Sequence, residues 1–555
     1  MNIKDISNSL SVPKKYKTEI PFISILIIYT LIRSYVWNQN CLLEDNDSIS
    51  YLSKAKAFLE LDYQKIIHGG VDTTPFYPFF SALFSVPGWS IETGARLCSM
   101  VFSSVLFFAI ILIGKRVADN TGVLIGLIIL TFSPIMISLS FSVLSEPSYI
   151  ATIYLGIGLY VLHYKNPSIS ISIILGVIFG LGFLNRTEGI IYLAVIPFLH
   201  CVQCLFLKDN RFDYKKIIRF NLLYIVSFLV IIAPQIYNIS EKMGRLAING
   251  REAWMLILHQ PDEKSVDEKI YGLDYSERDI NRKYIQRHPE VRNHLYSNIS
   301  GSFKRYIKDI IREFDVLYKT QLGILIGPLG FIFFAFGLSD LYRRKYFYEI
   351  ILFIGFLIAS IIPPLMHDVD MRHIAIIAPM IMLIEGIGVF HVSESLSLSI
   401  NRSYMKYVIS IIIIFMILVP SSMTLYKMYK NELMTDETDQ YYSNKANYQD
   451  FVSVIRNISE NEIKRKPIIL GRTPHIGFFA DGDFVFMPYT DYNGLVRYSR
   501  LNDVDFVFLQ YRFIGEFPFL ERFIEINTPE FNKIFEKMDF QGEKIQLYQF
   551  IKNSR

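Results

Sequence analysis

The sequence predicts a polytopic α-helical membrane protein of about eleven transmembrane helices with a small C-terminal α/β domain. Three observations carry this reading. Of 555 residues, 51% are apolar and 19% charged, and the apolar ones lie in long blocks separated by short charged segments. The loops between those blocks sort by charge, basic ones alternating with acidic ones. Residues 428–555 then replace the long blocks with short strand-like and helical runs. Soluble chains carry about 25% charged residues. The pattern excludes a disordered chain, a coiled coil and an ordinary cytosolic enzyme. A net charge of +4 gives no electrostatic reason for a nucleic-acid partner. Aromatic residues at 15% suit bilayer interfaces and apolar clefts.

The first twenty residues are polar, with Lys4, Lys14, Lys15 and Lys17. No small-residue cleavage site follows the apolar run from Ile20 to Val36, so it reads as a retained first span. At ~20 apolar residues per span, the candidates are 20–37, 91–114, 122–140, 147–163, 168–185, 189–207, 217–237, 321–341, 348–365, 374–391 and 404–427. The stretch 75–88 (PFYPFFSALFSVPG) is too short to span and reads as a helix in the membrane surface. Alternate loops hold Lys115 and Arg116, then His163 and Lys165, then Lys208 to Arg219, then Arg343 to Lys345, then Arg402 and Lys406. The intervening loops hold Glu44, Asp45 and Asp47, then Glu146, then Arg186 and Glu188, then His367, Asp368, Asp370 and Arg372. By the positive-inside rule the N-terminus is cytoplasmic and the C-terminus extracytoplasmic in the cell membrane. Residues 1–427 then form the membrane domain, with a first outer loop at 38–90 and a long outer loop at 238–320.

Residues 428–555 form the extracytoplasmic domain. Helix-period positions Phe451, Val454, Ile455 and Ile458 precede strand-like runs at 467–470 and 484–487, a helical segment at 492–502, and strands at 504–509 and 545–550. This alternation favours a mixed or parallel sheet. No GxGxxG or P-loop accompanies it. Cys201 and Cys204 lie in an apolar helix without a second Cys pair, which fits packing better than a metal or redox site.

Ionisable groups near a membrane are costly unless they line a wet cavity. Here the acids collect at span ends on one side. Asp47 starts an amphipathic helical segment, where it could simply cap, and Asp45 could be solvated. Glu146, in Ser145-Glu146-Pro147, could only stabilise a helix N-terminus, or could serve chemistry. Arg186, in Asn185-Arg186-Thr187-Glu188-Gly189, could clamp a phosphate or pair with Glu188. The segment His367-Asp368-Val-Asp370-Met-Arg372-His373 could bind a metal or a phosphate, or be a polar loop.

In order along the chain, these elements resemble the GT-C superfamily of membrane glycosyltransferases, near the protein O-mannosyltransferases and the aminoarabinose transferase of lipid A. The resemblance rests on Asp47 four residues before Tyr51, with Ala55 following; on Pro75-Phe-Tyr77-Pro78-Phe-Phe-Ser-Ala82-Leu; on Glu146-Pro147; on Arg186 to Gly189; and on Arg372-His373-Ile-Ala-Ile-Ile-Ala-Pro379. The tail is similar to prokaryotic outer domains through His475-Ile-Gly-Phe-Phe-Ala-Asp481-Gly482 and Val504-Asp-Phe-Val-Phe. Three carboxylates replace a clean pair in the first loop, and His373 stands where Tyr is usual. With three Trp residues and no Trp-Trp-Asp motif, the sequence argues against an oligosaccharyltransferase.

The resemblance implies an inverting glycosyltransferase that moves a sugar from a polyprenyl-phosphate carrier to a protein, lipid or glycan acceptor on the outer face. It implies Asp47 as base with Asp45 as alternative, and Glu146 as second acid orienting the acceptor or a divalent metal ion. Arg186 and Arg372 are phosphate candidates, Tyr51, Tyr77 and His373 further substrate contacts, and His367 with Asp368 metal candidates. The rival class is a secondary transporter or flippase, which requires ionisable groups at mid-span and broken helices; Pro134, Pro197, Pro234 and Pro328 are where breaks would fall.

Overall fold

The structure, a computed structural model, describes residues 19–39, 46–63, 66, 73–164, 168–206, 214–243, 246–248, 327–366, 372, 375–402, 404–429, 445–511, 528–539 and 542–552. The chain divides into two compact units. One comprises Met1–Asn40, Thr74–Gln235 and Tyr306–Met434, the other Cys41–Thr73, Ile236–Arg305 and Thr435–Arg555.

The first unit is helical. It opens with α1 (Ile20–Gln39); α2 (Asn46–Leu59) follows in sequence but belongs to the second unit. Then come α3 (Phe76–Ser85), α4 (Ile91–Val117), α5 (Asn120–Phe132), α6 (Pro134–Leu139), α7 (Glu146–His163) and α8 (Ile169–Asn185). A 3₁₀ turn leads into α9 (Tyr192–Phe206), and α10 (Tyr214–Met243) follows. Further along come α11 (Gly327–Arg343), α12 (Phe347–Met366), α13 (Ala378–Ser399) and α14 (Met405–Tyr429). Each of the eleven apolar stretches read from the sequence is mainly helical over its described residues, with 122–140 split into two helices. By length and composition, among the described residues three helical stretches can cross a membrane: Ile91–Val117, Lys215–Glu241 and Ala375–Ser399. Shorter apolar stretches include Ile20–Tyr35, Ile169–Asn185, Phe347–Ile362 and Met405–Val419.

Local chemistry sets the helix ends. Ser90 caps α4, its hydroxyl accepting from the Thr93 amide at 3.1 Å, while Lys115 and Arg116 face the negative C-terminal end. Pro134 separates α5 from α6, as expected of a residue without an amide hydrogen. Pro197 and Pro234 instead sit inside continuous helices.

Small residues set the packing. A Cβ on Gly386 would lie 2.2 Å from the Gly126 amide nitrogen, and one on Gly388 would lie 1.9 Å from the Phe333 carbonyl oxygen. Helix α13 is therefore gripped between α5 and α11 at backbone contact, the arrangement by which apolar helices associate where lipid offers no hydrophobic drive. The short α3 buries one face and leaves apolar side chains exposed on the other. Phe76, Tyr77, Pro78, Ser81, Ala82 and Ser85 are buried, while Phe79, Leu83 and Val86 are exposed.

In the second unit, α15 (Lys445–Ile458) precedes β1 (Ile468–Gly471), α16 (His475–Phe479), β2 (Asp483–Phe486), α17 (Tyr492–Leu501), β3 (Phe506–Gln510), β4 (Phe531–Met538) and β5 (Lys544–Phe550). The sheet order is β2-β1-β3-β5-β4. Strands β2, β1 and β3 run parallel, and β5 pairs antiparallel with β3 and β4. The mixed sheet matches the sequence reading, except that β4 went unrecognised. Its sequence FNKIFEKM is largely exposed and carries a register shift between Lys533 and Phe535, so no clean period of two is visible. Phe451 of α15 packs edge-on against Phe508 and Phe535, and α17 buries Leu495 and Val496 in a cluster with Leu470, Val507 and Tyr548. Helix α2 packs against α16, where Lys56 pairs with Asp481 and with Glu60 at 3.7 Å.

His475 is buried at the start of α16, its ring parallel to Tyr448 at 6.3 Å between centroids. Burial pushes its pKa down to about 4. Between that value and the ~6.5 of an unfolded histidine, only the unfolded chain binds the proton. The stability of this unit is therefore expected to fall as pH drops from about 6.5 towards 4, by about 3 kcal/mol at most. Melting curves at pH 7 and pH 4.5 measure this. His475→Phe should flatten the dependence; an unchanged slope in that variant would contradict the assignment.

Candidate active site

The strongest chemistry in the first unit gathers where α7 begins and α8 ends. Glu146 opens α7 with Pro147 in the first turn, where an amide hydrogen would go unused and a carboxylate meets the positive end of the helix. Helix α8 stops at Asn185 because Arg186 turns extended, at φ −148° and ψ 133°. The 3₁₀ turn Thr187–Ile191 then closes with the Gly189 amide donating to the Arg186 carbonyl at 2.9 Å. A Cβ on Gly189 would lie 2.7 Å from the Phe183 nitrogen, so the Arg-x-x-Gly spacing has a packing cause.

This turn delivers Arg186 between two acids. Its Nη1 donates to Glu146 Oε1 at 2.5 Å, its Nη2 to Glu188 Oε1 at 2.9 Å and its Nε to Glu188 Oε2 at 3.4 Å. The Arg186, Glu146 and Glu188 side chains are 14%, 4% and 21% exposed. Both readings of Arg186 thus meet one geometry: its fork is engaged by carboxylates on either side, and the trio carries one net negative charge. Glu146 Oε2 is buried with no hydrogen-bond partner among the described residues. The neighbouring scaffold is polar and closed. Asn185 Oδ1 accepts from Ser148 Oγ at 2.7 Å, and the Asn185 carbonyl accepts from the Thr74 hydroxyl.

Arg372 is half-buried in the same unit. The segment after it is fastened to α7: the Tyr154 hydroxyl donates to the Ile376 carbonyl at 2.8 Å and accepts from the Met380 amide at 3.0 Å. Tyr154 stands two turns beyond Glu146 on that helix. Tyr77 is fully buried, its hydroxyl 3.0 Å from the Ala95 carbonyl and 3.1 Å from Ser99 Oγ, so it is engaged within the protein.

In the second unit, Asp47 lies half-buried in the first turn of α2, and Tyr51 follows one turn later on the same face. Ser48, Ile49, Leu52 and Ala55 are buried, which anchors the helix. Lys54 is also buried and donates to the Thr73 carbonyl at 2.5 Å. Asp45, His367, Asp368, Asp370, His373 and most of the loop 238–320 lie outside the described residues. Among the described residues no three His, Cys, Asp or Glu side chains gather to hold a metal ion. Sequence reasoning missed the link from Arg186 to Glu146, since nothing local signals a partner forty positions away.

Residues 72–237, the stretch holding Tyr77, Glu146 and Arg186, match the family described as dolichyl-phosphate-mannose-protein mannosyltransferase. Among solved structures, the oligosaccharyltransferase AglB of Archaeoglobus fulgidus in complex with an inhibitory peptide and a dolichol-phosphate aligns with a TM-score of 0.57. The identity is 12%, over 97% of this chain and 74% of that one. The fold is that of the GT-C glycosyltransferases. ArnT of Cupriavidus metallidurans bound to undecaprenyl phosphate shares this GT-C fold along almost its whole length, with a TM-score of 0.54, 10% identity, and coverage of 97% of this chain and 99% of that one. The same protein in the apo state gives a TM-score of 0.56 at 11% identity, over 96% and 98%. No curated protein matches the sequence.

Proposed function

We propose that this GT-C chain transfers a sugar from a polyprenyl-phosphate carrier to an acceptor at the extracytoplasmic membrane face, with inversion. The observation that carries the reading is the mannosyltransferase-family match over 72–237, which contains the Glu146–Arg186–Glu188 trio with Glu146 buried. Two neighbours in fold support the donor class, AglB having been solved with dolichol-phosphate and ArnT with undecaprenyl phosphate.

In this reading Asp47 accepts the proton of the acceptor hydroxyl as that oxygen bonds to the anomeric carbon. The bond from that carbon to the phosphate oxygen breaks, and polyprenyl phosphate leaves. Arg372 neutralises the charge that develops on the phosphate. Glu146, with one oxygen tied to Arg186 and the other unpartnered, accepts a hydrogen bond from the acceptor and orients it. Asp45 is the alternative base, Tyr51 and His373 substrate contacts, and protein, lipid and glycan the acceptor classes. A divalent ion is the implied cofactor, and an AglB structure contains zinc and sulfate. His367 and Asp368 are candidate ligands. Within the trio, Glu146 Oε2 is the oxygen that Arg186 does not engage. The N-terminus is placed in the cytoplasm and the C-terminal unit outside.

The transporter reading is favoured by one feature: Glu385, buried within α13, leaves its Oε1 without a hydrogen bond. Purified chain in proteoliposomes separates the two. A panel of short-chain polyprenyl-phosphate sugars with peptide, lipid and glycan acceptors should yield free polyprenyl phosphate and a covalently glycosylated acceptor. Uptake or flipping of the sugar lipid without transfer would favour the transporter.

A further inference from the structure

We infer that Tyr77 is a positioning residue for Glu146, acting through Ser99 on the chain segment that enters α7. The inference rests on the role proposed above for Glu146. Between the break at Pro134 and the start of α7, residues 140–145 form no helix or strand, yet every one is buried. Such a segment must find partners for its carbonyls elsewhere.

Two side chains from outside supply them. Arg96 Nη1 donates to the Phe141 carbonyl at 3.2 Å and Ser99 Oγ to the Ser142 carbonyl at 2.6 Å. Within the segment, Ser140 and Ser142 turn back onto the Ile137 and Leu139 carbonyls at 2.6 and 3.0 Å. Ser142 lies four residues before Glu146, so its carbonyl is the later of these two external anchors before the carboxylate.

The Ser99 hydroxyl has two acceptors within reach. One is the Ala95 carbonyl one turn back at 3.3 Å, the usual partner for a serine inside a helix; the other is Ser142. The Tyr77 hydroxyl decides between them. It lies 3.0 Å from the Ala95 carbonyl, 3.1 Å from Ser99 Oγ and 3.4 Å from the Ser142 carbonyl. With the Tyr77 proton on the Ala95 carbonyl, the Ser99 proton goes to its nearer acceptor, the Ser142 carbonyl at 2.6 Å rather than Ala95 at 3.3 Å. Without the phenol oxygen, Ser99 can fall back on its own helix and release the segment. The ring alone cannot do this, so phenylalanine would preserve the packing and lose the effect.

The test uses the full chain, with the sugar-donor panel as the probe. Tyr77→Phe should lower kcat about tenfold with donor KM within about twofold, since a small misplacement of a catalytic group costs rate before binding. Amide exchange over 142–149 should quicken about tenfold while the remaining helices keep wild-type protection. The double variant Tyr77→Phe with Glu146→Gln should be no slower than Glu146→Gln alone. Unchanged exchange over 142–149 in Tyr77→Phe overturns the inference, as does a fully additive loss in the double variant. Full activity in Glu146→Gln would refute the role of Glu146 in transfer. Exchange needs no turnover, so the two failures are distinguishable.

Discussion

Asp47→Asn is expected to yield a folded chain that has lost transfer, with kcat reduced by about 10²–10⁴-fold. The substitution keeps the size of the side chain and its ability to accept a hydrogen bond, and asparagine is as welcome as aspartate at the start of a helix. The buried face of α2 (Ser48, Ile49, Leu52 and Ala55) is untouched, so the melting temperature should match the parent. Only the capacity to take a proton from the acceptor disappears. Release of polyprenyl phosphate and melting temperature, measured side by side, check this. Normal turnover would remove Asp47 from the reaction, and Asp45→Asn would then be the next variant to assay.

Arg186→Leu is expected to have the largest effect on stability. It leaves Glu146, 4% exposed, without its cationic partner among the described residues, and leaves Glu188 beside it. Removing one member of a buried ion pair costs about 3–5 kcal/mol, because the remaining charge stays in a medium that cannot solvate it. Arg186→Lys should recover part of the loss, since an ammonium cannot span both acids as the planar fork does. Adding Glu146→Gln to Arg186→Leu should also restore stability by removing the stranded charge. Thermal melts of the three variants decide the matter. If Arg186 were instead a phosphate clamp with little structural duty, Arg186→Leu would keep its melting temperature and raise only the KM for the donor.

Much of the architecture was legible because membranes impose a simple rule. A run such as 91–114 cannot be anything but a long apolar helix, and Pro134 broke a helix where its missing amide hydrogen predicts. Pro197 and Pro234 carry the same local signal and did not break theirs, because tertiary packing overrode it. The parallel strands β1 and β3 announced themselves as short fully apolar runs, while β4, exposed on most of its length, had no such signal. At the candidate site, sequence supplied the participants but not their pairing. Glu146 and Arg186 were both singled out, yet whether Arg186 faces a phosphate or an acid depends on how α7 and α8 meet. Tyr77 was noted for its aromatic, proline-rich setting. Its hydrogen bonds with Ala95 and Ser99 depend on the packing of α3 against α4, which no spacing along the chain encodes.

The claim at the centre of this account is a single displacement at the anomeric carbon, driven by one carboxylate base. The measurement that addresses it most directly is the anomeric configuration of the product, read by NMR of the glycosylated acceptor formed in the proteoliposome assay from a donor of defined configuration. The account predicts inversion, an α-linked product from a β-linked polyprenyl-phosphate sugar. A product that retains the configuration of the donor would require a covalent glycosyl-enzyme step and would contradict it.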